Sequence, residues 1–442
     1  MKQINGSTAA TSIFNAAVHA VQPRVLMPAY VKATAETLHI GGESLPLQDF
    51  DGIYLLSVGK AASAMALELE KIIGSHLSAG LVVTKYQHSQ PLRYCKTIEA
   101  GHPVPDENSL AAAPSINSFL APLTAKSLLL CCISGGASAL VADCAEGIPL
   151  ADMQTVSALL LQCGADIHEI NTVRKHLSFL KGGQLVRQAN GAVVYSLIIS
   201  DVAGDDISII ASGLTAPDPS TFADAWAVLA KYGLTQNIPA TAQAHLLKGI
   251  KGQVGETPKP GDALFSNLHN QTIGNNQMAL QAAALQATAL GFSVTTVEDL
   301  LVGEARDAAG RFVQLLTGYT GKRPACFLAG GETTVTIRGT GKGGRNQEFA
   351  LAALCQLLTL GLPAKHWPVI LSAGTDGTDG PTGAAGAIVN ISNFLHILKT
   401  PSKADISLQN NDSFNFFEPI NALLITGYTQ TNVMDIVIGL LY

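Results

Sequence analysis

The apolar positions of this chain fall into short runs, separated by longer segments in which they recur at helical spacing. Runs at 53–58, 81–84, 97–100, 128–133 and 193–199 are dominated by apolar or β-branched residues and read as strands of a sheet. Helical composition follows at 61–73, in the alanine-rich stretch after Ser109, and across most of 150–187. A first helix is predicted through Ile13, Ala17, Val18 and Val21, capped by Ser7 or Thr8 and ending before Pro23. Strand and helix in regular alternation describe an α/β domain with a largely parallel, Rossmann-like sheet, because parallel strands need a crossover that is usually a helix.

The pattern lapses at 232–261, rich in Gly, Pro, Gln and Lys, and this marks a boundary. The chain is therefore read as an N-terminal α/β domain at 1–245 and a C-terminal α/β domain with a mixed sheet at 246–442, the N-terminal helices being candidates to pack with the latter. In the second part 262–266 opens the new unit and a helix starts at Gly274-Asn275-Asn276. Strands are expected at 292–297, 325–329, 333–338, 369–373 and 422–426, and helices at 304–316 and 349–360.

Composition sharpens this. At 442 residues the chain exceeds the size at which one core stops growing, so two domains are expected. With 47% hydrophobic and only 14% charged residues, global disorder is excluded. A net charge of −6, with no basic stripe, argues against nucleic acid as a partner. Seven cysteines without C-x-x-C spacing fit reduced thiols. The longest apolar candidate, 128–142, is broken by Ser134, Gly135 and Gly136, so no membrane span is expected and a cytoplasmic protein is.

Candidate chemistry clusters where strands end. Lys60 follows the run 53–58 and precedes a small-residue helix start, where it can reach an anion, although no P-loop pattern is present. Ser134-Gly135-Gly136-Ala137-Ser138 offers N–H and O–H donors at a strand-to-helix turn. Asp201, Asp205 and Asp206 put three carboxylates within six residues after 193–199, a grouping suited to a metal, a proton transfer or a basic partner. In parallel sheets ligands bind beyond such strand ends.

Asn171, Arg174 and Lys175 lie within about a turn of one another, and His168 and His176 lack the H-E-x-x-H spacing of a zinc site. The stretch 330–348 holds Glu332, then Gly339, Gly341, Gly343 and Gly344 around Lys342, then Arg345 in a first helical turn. A cation there opposes the helix dipole unless an anion shares the site. Gly339, Gly341 and Gly344 formally match G-x-G-x-x-G, but no acidic residue stands about 20 residues on, as a ribose would require. Asp376 and Asp379 lie among glycines after 369–373.

GHPVPDENS from 101, ISGGASAL from 133, EINTVRKHLS from 169, GGETTVTIRGTGKGGRNQEF from 330 and SAGTDGTDGPTGAAGA from 372 together resemble the bacterial and animal glycerate 2-kinases. The resemblance implies two α/β domains, the second of a leucine-rich type, with the active site in the cleft between them. It implies ATP-dependent phosphorylation of D-glycerate at its 2-hydroxyl, giving 2-phosphoglycerate and ADP, with Mg2+. It assigns catalytic roles to Lys60, Asp201 and Arg345, Asp201 either accepting the glycerate hydroxyl proton or holding magnesium. Ser134, Gly135, Gly136 and Ser138 are then expected on the nucleotide, with Gly341, Gly343 and Gly344. Arg174, Lys175, Glu332 and Asp376 are expected on glycerate, and Asp201 with Asp205 on the metal.

The chain departs from the family pattern at Leu214, where a proline is usual, and at Tyr428 and Gln430. Two other readings stand beside the kinase: a hydroxypyruvate reductase, which needs a nicotinamide site, and a binding regulator without turnover. The state of association is left open, a homodimer being one option.

Overall fold

The computed structural model describes residues 5–363, 366–394 and 402–442. The chain divides into two compact units, one of residues 26–273 and one that joins the residues up to Val25 with Gly274–Tyr442.

The 26–273 unit opens with a small antiparallel sheet of β1 (Val31–Ala33), β2 (Thr37–Ile40) and β3 (Glu43–Pro46). Its main sheet contains β4 (Gly52–Val58), β5 (Leu77–Lys85), β6 (Cys95–Ala100), β7 (Ser127–Ser134), β8 (Val193–Ile199) and β9 (Leu268–Gly274), in the order β6-β5-β4-β7-β8-β9. The pairings β6–β5, β5–β4, β4–β7 and β7–β8 are all parallel. Every residue of β7 is buried, which is why its run is apolar without alternation. Ala62–Ile73 and Glu107–Leu120 are crossover helices, the second begun by a capping box between Asp106 and Ser109.

The predicted helical stretch resolves into Leu150–Gln162, Ile167–His176 and Gln184–Gln188. A subsidiary core of Val156, Leu160, Ile170, Val173, Phe222, Leu229 and Leu246 holds this region together. Leu246 belongs to the helix Ala240–Ile250, inside the segment expected to be a boundary. The division falls at 273 rather than 245, because that helix packs into this core and 268–273 then adds the edge strand to the sheet.

In the second unit the helix Gly6–Ala20 is capped by Asn5, two residues before the first of the caps expected, and packs on the helix Asn276–Ala289. The sheet contains β10 (Ser293–Leu301), β11 (Ala325–Gly331), β12 (Val369–Gly374), β13 (Gly386–Val389), β14 (Leu423–Leu424) and β15 (Asp435–Leu441), in the order β10-β11-β15-β12-β13-β14. Only β10 and β11 pair in parallel; the other pairings are antiparallel, so the sheet is mixed as expected. The fully buried β15 lies between β11 and β12.

The expected strand at 333–338 does not form. Thr334 makes a single bridge to Glu304, Thr336 bonds the Glu304 carboxylate through both its N–H and its hydroxyl, and Arg338 donates its N–H to Asn411. With the backbone of Thr334 bonded to Gly303 and Ala305, that of Thr336 and Arg338 taken by side chains, and Ile337 79% exposed, the alternating pattern has no sheet to join.

Candidate active site

In the 26–273 unit β4 has β5 on one side and β7 on the other, so the chain winds outward to β6 and then returns past its starting strand. Doubly wound sheets bind ligands at such a reversal, beyond the strand C-termini. The loops after β4 and β7 meet there. Gly59 has φ 130°, and a Cβ on it would lie 2.2 Å from Ser134 Oγ. Lys60 donates its N–H to the Gly135 carbonyl at 2.9 Å, and Ala61 its N–H to Ser134 Oγ at 3.1 Å. Gly136 is left-handed, with φ 85°, and a Cβ there would come within 2.9 Å of the His102 ring and 3.2 Å of Lys60 Cγ. Glycine is therefore needed at both places, and the partly buried Lys60 is set over the turn that follows β7. Ser134 is buried and serves to lock the two loops, while Gly136 and Ser138 are partly exposed.

Strand β8, next to β7, delivers Asp201 and, on a left-handed turn of φ 55°, Asp205; both are partly buried. Asp206 accepts a turn bond from the Ser208 N–H at 2.8 Å. Further on, Ala211, Ser212 and Gly213 are left-handed in succession, with φ 53°, 53° and 70°. Such backbone is strained for alanine and serine, and Gly182 and Gly183 hold it by donating N–H groups to the Ser212 and Gly213 carbonyls at 3.1 and 2.8 Å. Leu214, in place of the family's proline, is buried in the core of the unit. Among the described residues no group of three or more His, Cys, Asp or Glu side chains is arranged to hold a metal.

On the helix Ile167–His176 the two candidate cations differ. Lys175 is buried and pairs with Asp218 at 3.5 Å, a carboxylate that also accepts from Thr257 and Ser220. Its charge is matched inside the unit. Arg174 is partly buried and has neither a hydrogen bond nor an ion pair among the described residues; burial pulls its pKa down.

In the second unit the antiparallel register sets Asp435, the first residue of β15, opposite Gly331 at the end of β11 and Gly374 at the end of β12. Arg345 reaches it with two nitrogens, Nε to Oδ2 at 2.5 Å and Nη2 to Oδ1 at 3.0 Å, and gives Nη1 to Glu332. Burial works against the arginine's charge, but Asp435 and Glu332 outweigh it and raise its pKa. Asp435 is only 1% exposed. The Asn276 amide donates to the carbonyls of Val433 and Asp435 at 2.8 and 3.1 Å and fixes the head of the strand. Asp376, after β12, accepts from the N–H and hydroxyl of Thr378, both at 3.0 Å.

The glycine turn before Arg345 has a different use from the one its pattern suggests. Gly339, Thr340, Gly341 and Lys342 donate their N–H groups to Asn411, Asn410, Asn410 and Asp412. A Cβ on Gly339, Gly341 or Gly343 would strike residues 410, 412 or 413 at 2.2 to 2.4 Å, and one on Gly344 would strike Asp379 at 2.4 Å. The glycines thus allow two loops to lie against the turn. The start of the helix Arg345–Leu360 is already occupied by an anion, since Asp379 accepts from the N–H groups of Asn346 and Gln347 at 3.1 and 2.8 Å. Burial pushes the Asp379 carboxyl up to about 6 despite those bonds.

Sequence reasoning missed Asp435, Asp379 as a helix cap, and Ser212. The available signal for Asp435 was a carboxylate heading the apolar run 435–441.

Residues 9–247 match a family described as a domain of unknown function (DUF4147), and residues 325–435 match the MOFRL family. A Pyrococcus horikoshii relative named glycerate 2-kinase is 38% identical over 430 residues, 96% of this chain and 94% of its own. A Thermotoga maritima relative named D-glycerate 2-kinase is 40% identical over 407 residues, 90% of this chain and 93% of its own. The crystal structure of a glycerate kinase from Thermotoga maritima superposes with a TM-score of 0.82 at 38% identity, covering 98% of this chain and 99% of that one. Likeness of this extent in both sequence and fold places the chain in the glycerate 2-kinase family.

Proposed function

We propose that this protein transfers the γ-phosphoryl group of ATP to the 2-hydroxyl of D-glycerate, giving 2-phosphoglycerate and ADP. The observation that carries this reading is the contact of the β4 and β7 loops at the sheet's reversal, which stations Lys60 over a glycine turn beside the β8 carboxylates. In the transfer the glycerate oxygen forms a bond to the γ-phosphorus, the bond from that phosphorus to the β,γ-bridging oxygen breaks, and the hydroxyl proton leaves to a base. Asp201 is the proposed base. Lys60 and Arg345 each supply positive charge to phosphoryl oxygens, which is most of what this chemistry asks of a protein. The backbone N–H groups of Gly135, Gly136 and Ser138 are proposed as donors to the nucleotide, and Arg174, Glu332 and Asp376 as contacts for glycerate.

Asp201 and Asp205 are hard oxygen donors of the kind Mg2+ takes, and that ion commonly binds through one or two carboxylates together with nucleotide phosphates. Bound there, Mg2+ would neutralise phosphate charge. A cytoplasmic setting fits the seven free thiols.

A coupled ADP-release assay with D-glycerate and Mg2+, followed by identification of the phosphorylated isomer, tests the reading. ADP release with the 2-phosphate as product is expected, with Lys60→Ala and Asp201→Asn folded and nearly inactive. Stoichiometric NADH oxidation with hydroxypyruvate in place of ADP release would instead establish the reductase. The turn at Gly339–Gly344 argues against that outcome, because its glycines accommodate neighbouring loops.

A further inference from the structure

Asn171 and Arg174 stand three residues apart on the helix Ile167–His176 and are therefore neighbours on its surface. Asn171 is 3% exposed, and its Nδ2 has no hydrogen-bond partner among the described residues. A buried amide left in this condition costs stability and needs an explanation in a native fold. Arg174, partly buried and likewise without a partner among the described residues, is a second donor group beside it.

The orientation of the amide follows from a one-way chain of hydroxyls. Ser212 Oγ donates to Asn171 Oδ1 at 2.9 Å, so its own oxygen is left to accept from Ser138 Oγ, also 2.9 Å away. Nδ2 is then the free end of the chain. Ser212 reaches this position only because its backbone is left-handed, φ 53°, and anchored through its carbonyl to the Gly182 N–H. A strained serine is thus maintained where it fixes one asparagine.

We infer that Asn171 and Arg174 together bind the carboxylate of the acceptor substrate, with Ser212 as a positioning residue that sets the amide. This rests on the kinase reading above. A guanidinium fork plus one amide matches a planar, singly charged group with two oxygens. A triphosphate needs more donors than these, and the turns after β4 and β7 are where glycine-lined backbone comes forward to meet one.

The test measures KM for D-glycerate and for ATP separately, and the thermal shift that D-glycerate alone produces, in wild type, Asn171→Ala, Asn171→Asp and Ser212→Ala. Asn171→Ala is expected to raise KM for glycerate by about tenfold or more, as loss of a hydrogen bond to a charged group does, and Asn171→Asp by more because like charges then meet. KM for ATP is expected to stay unchanged. Ser212→Ala should give a smaller rise in the same constant, and all three should weaken the glycerate-induced shift.

An unchanged KM for glycerate in Asn171→Ala, or a rise in KM for ATP in its place, overturns the inference. If the Asn171 variants do not fold, Ser212→Ala and Arg174→Gln decide, and an unchanged KM for glycerate in both overturns it. Absence of ADP release in wild type, with an Asn171-dependent thermal shift retained, counts against the kinase reading and upholds the carboxylate site.

Discussion

Asp435 receives Arg345 side-on, through two separate nitrogen–oxygen contacts of 2.5 and 3.0 Å, so that the orientation of the guanidinium is dictated by the head of strand β15. A charge on a long, flexible stem has become part of the sheet. Glu332, at the end of β11, completes the grip on the third nitrogen.

Arg345→Lys keeps the charge and loses the geometry, because an ammonium is a point donor and the guanidinium a planar fork. Arginines that stabilise phosphoryl transfer contribute about 10³ to 10⁵ in kcat, so a fall of at least about 100-fold is expected with ATP and D-glycerate. Asp435→Asn should lower kcat in the same direction by releasing the fork. Wild-type turnover in Arg345→Lys, with thermal stability measured alongside, would remove Arg345 from the reaction.

Asp379 gives a pH dependence of a definite sign. Its carboxyl ionises near 3.8 when unperturbed and is pushed up to about 6 by burial in the fold. The folded state therefore holds a proton that the unfolded state has lost, and this group's contribution to stability declines as pH rises from about 4 to about 6. At 1.36 kcal/mol per pKa unit the decline amounts to roughly 2 to 3 kcal/mol. Asp379→Asn has no such titration. Denaturant unfolding of both proteins from pH 4 to pH 7 should show the wild type's margin over the variant shrinking across that window, and a constant margin would contradict the assignment.

Lys175→Met should act on stability rather than on substrate binding. Removing the lysine leaves Asp218 buried without its ion pair, and breaking a buried pair on one side costs about 3 to 5 kcal/mol. The Thr257 and Ser220 hydroxyls, which go on donating to Asp218 at 3.0 and 2.7 Å, moderate the loss toward the lower figure. The check is a lowered unfolding midpoint with KM for D-glycerate unchanged in the folded fraction.

The parallel sheet of the 26–273 unit was legible because four of its first five strands are mainly apolar and all but one of the connections between them carry a helix, and Lys60, Gly136 and Asp201 could be placed at strand ends by reading along the chain. The second unit was less so. Residues 435–441 are as apolar as 193–199, yet β15 takes its neighbours from β11 and β12, more than sixty residues away, a pairing that no local window contains. The reverse error came at 333–338, where period two was present and a neighbouring strand was not. Arg345 was identified correctly as unusual for a helix start. Its balancing anions, Asp435 and Glu332, could be recognised only once the strands stood side by side. Likewise Asn171 looked like one polar residue on a charged helix until Ser212 accounted for one end of its amide and nothing accounted for the other.

The placement of β15 also bears on how the chain is made. The main sheet of the 26–273 unit is assembled from strands in one uninterrupted stretch, so it can close while synthesis continues. The other sheet cannot. Its central strand is translated after the remaining five, and until then β11 and β12 each present an unsatisfied edge, the kind of surface that recruits foreign strands. The helix Gly6–Ala20, made first, must wait for the same event to find its seat against β12 and β15. For a nascent molecule the vulnerable interval therefore falls late, and a ribosome that stalls shortly before residue 435 would release a protein with one finished unit and one open to aggregation.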